Sequence, residues 1–211
     1  MRCVWLVISM ATSLAASPAL AAGVLTGELG LFYMNDSSVR SFADVNDQPY
    51  TQKTKTNYTF SSLGICYRLD WFCVGLKYLQ GSIEENSSDS RTGASAVATE
   101  TFSGPGLTLG YSNMEWVVHG TYLIGAQKKL SNKLSNSSGA STSSGERYPA
   151  KVATIIDVGY GFKVGSLRIG PLLSVLHMDY KERYVNGSKE SLSSKESDDF
   201  IMPHFALWMD F

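Results

Sequence analysis

The fold is decided by the last nine residues of the chain, Pro203-His204-Phe205-Ala206-Leu207-Trp208-Met209-Asp210-Phe211. In this stretch the odd-numbered positions from 205 onward are all apolar, whereas the even-numbered positions mix a histidine and an aspartate with alanine and tryptophan. Side chains alternate between the two faces of a β-strand. One apolar face and one mixed face are typical of a transmembrane β-barrel, in which alternate residues meet lipid and the barrel interior.

Seven other segments show the same alternation. In one of them, for example, the apolar residues Leu63 and Ile65 flank Gly64. Each segment is close to the ~9–11 residues that a tilted strand needs to cross hydrocarbon. Residues 166–180 are apolar on both faces, which leaves the register of that strand open. The pattern predicts an all-β fold, a closed antiparallel up-and-down transmembrane barrel of about eight strands at residues 24–34, 58–69, 72–82, 101–112, 115–126, 150–162, 166–180 and 199–211.

The connections between these strands fall into two classes that alternate along the chain. Tight turns are predicted at residues 70–71, 113–114 and 163–165. Long hydrophilic connections are predicted at residues 35–57, 83–100, 127–149 and 181–198. Outer-membrane barrels have short periplasmic turns and longer external loops, whereas a soluble sandwich has no reason to sort its loops in this way. Because the long connections are rich in Ser and Asn, we expect them to be solvated and mobile.

The composition excludes several protein classes. The 211 residues carry a formal net charge of -1, which does not suggest a nucleic-acid-binding protein. Hydrophobic residues make up 44% of the chain and charged residues 18%, which is not a disordered composition. The mean hydropathy of -0.06 is too low for a bundle of membrane helices, but it fits a barrel in which only every second strand residue faces lipid.

The N-terminus has the features of an export signal. Arg2 precedes an apolar run that ends in the small-x-small sequence Ala19-Leu20-Ala21. This arrangement predicts a signal peptide over residues 1–21, cleaved near Ala21, and a mature barrel domain over residues 22–211. An N-terminal membrane anchor is the alternative, although the apolar run is short for one.

Aromatic residues lie at the ends of the predicted strands, on the face that would meet lipid. Such girdles are typical of the membrane interfaces of outer-membrane barrels. The girdle beside the tight turns would contain Tyr67, Phe72, Tyr111, Trp116, Phe162 and Phe211. The opposite girdle would contain Tyr33, Tyr78 and Tyr122. With these girdles and its terminal strand, the chain resembles the small outer-membrane barrels typified by the transmembrane domain of OmpA and by OmpX.

The resemblance implies an outer-membrane location in a Gram-negative cell, surrounded by lipid and lipopolysaccharide. It also implies that the terminal strand carries the signal for the barrel-assembly machinery, namely Phe205, Leu207, Met209 and Phe211. Three prolines depart from the pattern because they fall inside proposed strands, where proline removes a ladder donor. We therefore expect bulges or strand ends at Pro105, Pro171 and Pro203.

The predicted inner face collects charged side chains. They are Glu28, Arg68, Lys77, Lys151, Asp157, Arg168 and His204, with Asp210 near the rim. An eight-stranded barrel is just wide enough for its own side chains to fill, so charges inside it must pair. One interpretation is a structural network that plugs the lumen. The other is a narrow ion path or a small-ligand pocket. Inward glycines are compatible with both, because they leave room either for Trp208 and the arginines or for a cavity.

The mature chain contains two cysteines, Cys66 and Cys73, which flank the first tight turn. An exported protein is in a compartment that permits disulfides. If the hairpin pairs the two cysteines directly, a cross-strand bond is feasible. In the other register Cys73 faces Arg68 and Cys66 faces Gly75, and we expect no direct bond. The cysteine spacing is not a zinc pattern, and no metal or cofactor is predicted.

Several functions are compatible with such a barrel. Long external loops on a rigid scaffold are a common place for binding, which favours a structural or surface-interaction role with an external ligand or cell surface. A narrow pore is the first alternative. A lipid-modifying enzyme is the second, but no family motif accompanies His119, His177 or His204. His119 and His204 are expected on the inner face, and Ser174 is the serine close to His177. We predict no enzyme. A soluble lipocalin-like barrel would have an apolar interior and a polar exterior.

Overall fold

The computed structural model describes residues 23–43, 49–113, 115–135 and 141–211. The signal peptide predicted over residues 1–21 lies outside them. The described residues contain no helix that is long and apolar enough to cross a membrane. They form ten antiparallel strands: β1 Val24–Ala43, β2 Pro49–Leu69, β3 Phe72–Asp89, β4 Ser95–Ser112, β5 Trp116–Leu123, β6 Gln127–Ser135, β7 Ser141–Tyr160, β8 Phe162–Val164, β9 Leu167–Val185 and β10 Ser188–Asp210.

The strands close into a barrel with eight positions around its circumference. β5 and β6 follow one another along the chain and together fill one position of the ring, between β4 and β7. β7 and β8 together fill the next position, and both pair with β9. The ring closes where β1 pairs with β10, from Thr26 opposite Asp210 to Leu31 opposite Phe205. The predicted closed antiparallel β-barrel is therefore confirmed.

The long connections are paired strands, not irregular loops, for most of their length. The last pairs at their tips are Ala43 with Pro49, Ser88 with Ser95, Ser135 with Ser141, and Val185 with Ser188. The predicted strand ends are therefore wrong for these stretches, although many of their side chains are exposed. Two strands of a hairpin can keep satisfying each other's backbone groups beyond the barrel. We call these four extensions of β1–β2, β3–β4, β6–β7 and β9–β10 the outer hairpins. They lie at the end of the barrel opposite the short turns.

The three prolines lie inside strands, at positions where a neighbouring ladder is interrupted. Pro105 lies where the partner of β4 changes from β5 to β6. Pro171 lies where the partner of β9 changes from β7 to β8, and Pro203 lies just beyond the last pair between β10 and β1. Proline has no backbone N–H to donate, and this is tolerated at positions where the neighbouring strand provides no hydrogen-bond acceptor.

Lys151 lies on the outer surface, which corrects its predicted place in the lumen. The register between β7 and β9 shifts on both sides of Ala150. Such a bulge reverses the face of all residues that follow it. The buried residue before the bulge is Tyr148 and the first one after it is Ala153, so the inward positions change from even to odd numbers. Lys151 falls within the bulge and is exposed.

The polarity of the barrel is inverted relative to that of a soluble protein. Large apolar side chains point outward and are exposed, including Leu31, Leu76, Leu107, Leu109, Ile156, Ile201 and Phe205. The buried charged residues are Glu28, Arg68, Lys77, Lys128, Asp157 and Arg168, together with His119. Of the strand-end aromatics, Tyr67 is half-buried, and the others are exposed, namely Tyr33, Phe72, Tyr78, Tyr111, Trp116, Tyr122, Phe162 and Phe211.

The lumen has a charged level and an apolar level. The charged level lies nearer the short turns, and of the buried charges only Lys128, which packs over the rings of Tyr148 and Tyr180, lies outside it among the described residues. The apolar level lies towards the outer hairpins and is a cluster that includes Phe60, Leu79, Phe102, Leu176, Met178 and Tyr180. Leu172 and Leu176 face the lumen and Leu173 faces outward, which settles the register of β9.

Candidate functional site

Lys77 is the centre of a buried ion cluster in the lumen. Its Nζ lies 2.5 Å from Oε1 of Glu28 and 2.7 Å from Oδ2 of Asp157, and none of the three side chains is more than 6% exposed. Trp208 donates from Nε1 to Glu28 at 3.0 Å, and Ser174 donates its hydroxyl to Asp157. The strand alternation places these residues inward from five strands. Each buried carboxylate thus has both an ionic partner and a hydrogen-bond donor, as burial of charge requires.

A second cluster lies at the end with the short turns. Arg168 donates to Oδ1 of Asp210 at 3.0 Å and to the backbone oxygen of Asn113 at 2.7 Å. Arg68 lies 3.7 Å from the same carboxylate, and Thr26 donates to it at 2.7 Å. Asp210, which the sequence places near the rim, therefore pairs with two arginines and connects the last strand to the first.

His204 faces the lumen and is half-buried, with Nδ1 2.9 Å from the backbone oxygen of Met202. Together with Lys77, Asp157 and Ser174 it lines a cavity of about 10 Å³, which is room for about one water molecule. Six of the seven charged residues predicted for the lumen therefore face it. Lys151 is the exception, for the reason given above.

Ser174 and His177 lie on opposite faces of β9. Ser174 is buried and donates to Asp157, whereas His177 faces outward, with Nδ1 2.7 Å from Asp199 and Nε2 3.3 Å from Asp179. A histidine that activates a serine must lie within hydrogen-bond reach of it. These two residues do not form such a pair.

Cys66 and Cys73 form a disulfide, with their Cα atoms 5.9 Å apart. The register is the one for which we expected no bond, because Cys73 is opposite Arg68 and Cys66 is opposite Gly75. The bond crosses the hairpin diagonally. The Cα separation lies in the range that disulfides span, and Gly75 has no side chain to obstruct the bond.

A cleft opens between the outer hairpins β6–β7 and β9–β10. Its volume is about 520 Å³. It includes the tight turn between β9 and β10, where Asn186 and Gly187 adopt positive φ angles of 50° and 84°. The residues lining the cleft are Lys129, Leu130, Ser131, Gly145, Glu146, Arg147, Tyr184, Asn186 and Gly187.

Two cations of this cleft stand directly opposite each other, Lys129 on β6 and Arg147 on β7. The guanidinium of Arg147 lies over the ring of Tyr184, 4.5 Å from its centroid. Among the described residues no carboxylate forms an ion pair with either cation, since Glu146 contacts Tyr148 and Arg183 instead. Like charges directly opposite on paired strands are destabilising. The cleft therefore favours an anion.

Two comparisons with known proteins give no match, since neither a family model nor a curated protein matches the chain. Among solved structures, the chain is similar to Ail, the attachment invasion locus protein of Yersinia pestis, in complex with the heparin analogue sucrose octasulfate. The identity is 12% and the TM-score 0.44, over 90% of this chain and 99% of Ail. A similarity of this size carries no information about ligands.

Two groupings were missed by the sequence analysis. The pattern shows Lys128-Lys129 and Arg147 as parts of separate polar stretches, and only the register of β6 against β7 makes Lys129 and Arg147 neighbours. In the same way, the registers of β3, β4 and β5 bring His119 to the disulfide. No spacing along the chain signals either grouping.

Proposed function

We propose that the chain is an integral outer-membrane β-barrel that contacts an external ligand through its outer hairpins and has no enzymatic activity. It belongs, on this proposal, with the small barrels exemplified by the OmpA transmembrane domain and OmpX. The observation that carries the proposal is the inverted polarity of the barrel. Leu76 and Leu107 are 58% and 53% exposed, whereas Lys77 and Asp157 are 4% and 0% exposed. Water disfavours such an outer surface, and acyl chains favour it.

The orientation follows from the lengths of the connections. The short turns would face the periplasm and the outer hairpins the cell exterior, where lipopolysaccharide surrounds the barrel. The residues Phe205, Met209 and Phe211 are exposed on the outer face of β10, where the assembly machinery could contact them. The predicted signal peptide would direct export. The filled lumen supports a plug, and no observation favours a pore.

The membrane location is tested by cell fractionation combined with gel mobility before and after heating. We expect the mature chain in the outer-membrane fraction, soluble only with detergent, and migrating faster unheated than boiled. Recovery of a monomeric, detergent-free protein from the periplasm would contradict the proposal. A membrane-impermeant maleimide gives the orientation, because it should label Leu134→Cys in intact cells but not Lys163→Cys.

The cleft between the outer hairpins supports an anionic ligand. Lys129 and Arg147 supply two cations that form no ion pair within the described part of the chain, and Tyr184 and Asn186 supply a ring and an amide. A bound anion would relieve the repulsion between the cations. Because the cations are exposed to solvent, added salt should weaken the attraction. Because two adjacent cations attract a ligand with several negative charges more strongly than a ligand with one, the proposed ligand is a polyanion that the protein meets outside the cell.

Fluorescent sulfated dextran serves as the polyanion probe for this cleft, on cells that display the protein. We expect Lys129→Ala/Arg147→Ala to bind it at least about 10-fold more weakly, which corresponds to about 1.4 kcal/mol. The matched control is Lys163→Ala, which removes an exposed cation at the opposite end of the barrel. Equal binding by both variants and the unmodified protein would refute the anion site, while leaving the membrane proposal standing.

A further inference from the structure

A cluster of metal-ligating atoms surrounds the disulfide inside the barrel. The sulfur atoms of Cys66 and Cys73 and one ring nitrogen of His119 all lie within 4.8 Å of one another, and the three residues are buried. Thiolate and imidazole are the ligands that structural and catalytic zinc sites use most. The separation of 7 positions between the cysteines gives no zinc motif, so the site is formed by the fold alone.

A glycine lies between His119 and the cysteines on the strand that separates them. Cys73 on β3 is opposite Gly110 on β4, and Gly110 is opposite His119 on β5. The intervening strand therefore carries no side chain at the position between them. A Cβ added to Gly110 would meet first the backbone of Val118 and His119 and then Cδ2 of the His119 ring, at 3.0 Å, so the ring as well as the backbone would have to move.

His119 is also oriented as a metal ligand would be. Its Nδ1 lies 3.7 Å from Oε2 of Glu28. Its Nε2 is buried and, among the described residues, has no hydrogen-bond partner. Metal-ligating histidines commonly direct their second ring nitrogen at a carboxylate, which fixes the tautomer and the ring. With Nδ1 directed at Glu28, Nε2 is the nitrogen left for an ion, and an unpaired buried nitrogen of this kind is otherwise costly.

We propose that Cys66, Cys73 and His119 form a Zn²⁺ site when the disulfide is reduced. Reduction by a dithiol breaks the S–S bond and adds two electrons and two protons, giving two thiols while the dithiol closes into its own disulfide. Binding of Zn²⁺ then releases both thiol protons to solvent. The two thiolates balance the charge of the ion, so the buried site gains no net charge. Zinc sites have Zn–S and Zn–N distances of about 2.3 Å and 2.0 Å, and an ion placed between the three ligand atoms, which lie within 4.8 Å of one another, would be close to each of them.

Cd²⁺ is a suitable optical probe, because its thiolate complexes absorb in the ultraviolet. The mature barrel, folded in detergent, is reduced with a water-soluble phosphine, which takes up oxygen from water to become the phosphine oxide. The protein is then desalted and titrated with Cd²⁺. We expect one equivalent to bind to the reduced protein and none to the oxidised protein. Cys66→Ser and Cys73→Ser should each lose most of the absorption band.

His119→Gln separates the three-residue site from binding by two thiols alone. We expect its affinity for Cd²⁺ to fall at least about 10-fold, in line with the weakening seen when groups around a metal site are changed. His177→Gln is the matched control and should bind as the unmodified protein does, since His177 faces outward. Folding of each variant is checked by its gel mobility before heating. Equal affinity of His119→Gln and His177→Gln would overturn the proposal.

A measurement on the unmodified protein avoids the risk that a variant fails to fold. In nitrogen-detected NMR of ¹⁵N-histidine, Zn²⁺ added to the reduced protein should shift Nε2 of His119 and leave His177 and His204 unchanged. No shift at His119, or equal shifts at all three histidines, would overturn the proposal.

Discussion

Lys77 has two carboxylate partners, and each partner is as buried as the lysine itself. Because Glu28 and Asp157 both pair with its Nζ, removal of the lysine leaves two buried negative charges without this counter-ion. Removing one partner of a buried ion pair is strongly destabilising, whereas replacing all of its charged members by neutral residues is much less destabilising. The cluster is therefore held together by its charge balance.

Lys77→Met tests this charge balance. We expect it to lower the free energy of unfolding by about 3–5 kcal/mol, measured by urea unfolding of the mature protein in lipid vesicles. Lys163→Met, at an exposed position, should have little effect. Adding Glu28→Gln and Asp157→Asn to Lys77→Met should restore most of the loss. A triple variant no more stable than Lys77→Met would contradict this account.

His177 at the base of the outer hairpin β9–β10 provides a pH-dependent contact. The hydrogen bond to Asp199, and then the charge of Asp179, raise the pKa of His177 above its ordinary value of 6.5. A raised pKa means that the contact stabilises the folded hairpin below about pH 6.5 and that this contribution is lost as the pH rises through the folded pKa. In an NMR titration, Asp199→Asn should lower the pKa of His177. An unchanged pKa would contradict the pairing.

The faces of the strands could be predicted from the sequence, but the lengths of the strands could not. The alternation of apolar and polar side chains shows which side of β2 or β10 faces lipid, because side chains alternate with a period of two in a strand of any length. The outer hairpins lack an apolar period, so nothing in their sequence shows that Ser- and Asn-rich strands stay paired. The face of Lys151 was mispredicted because Lys151 lies within a bulge, and the alternation of the residues after the bulge does not show where the bulge begins.

The outward face of β4 tests the membrane contact at the level of one element. Leu107 lies mid-strand and is 53% exposed, and Leu134 lies on an outer hairpin and is 57% exposed. An arginine at the middle of a lipid-facing strand costs about 2–4 kcal/mol, falling to about 0–1 kcal/mol near the interface. Urea unfolding in vesicles should therefore show a large loss for Leu107→Arg and almost none for Leu134→Arg. Equal losses would be inconsistent with a lipid-facing β4.

Closure of the barrel and the register of its strands together set the contacts that no local pattern reveals. Thr26 and Asp210, separated by 184 positions, are joined by a hydrogen bond of 2.7 Å. The register between neighbouring strands brings Lys129 to Arg147 and His119 to the cysteines. Pairings between strands depend on register, and a slip of one residue reverses every side chain. Fold class is thus predictable from alternation, whereas the candidate sites require the actual register.

The central claim is that the apolar outer face of the barrel contacts lipid, and spin labels test it most directly. Leu76 and Leu134 are almost equally exposed, at 58% and 57%, so labels at Leu76→Cys and Leu134→Cys differ only in their surroundings. In vesicles we predict frequent collisions with oxygen and few with a water-soluble nickel complex at position 76, and the reverse at position 134. Equal, high access of the nickel complex to both positions would contradict the account.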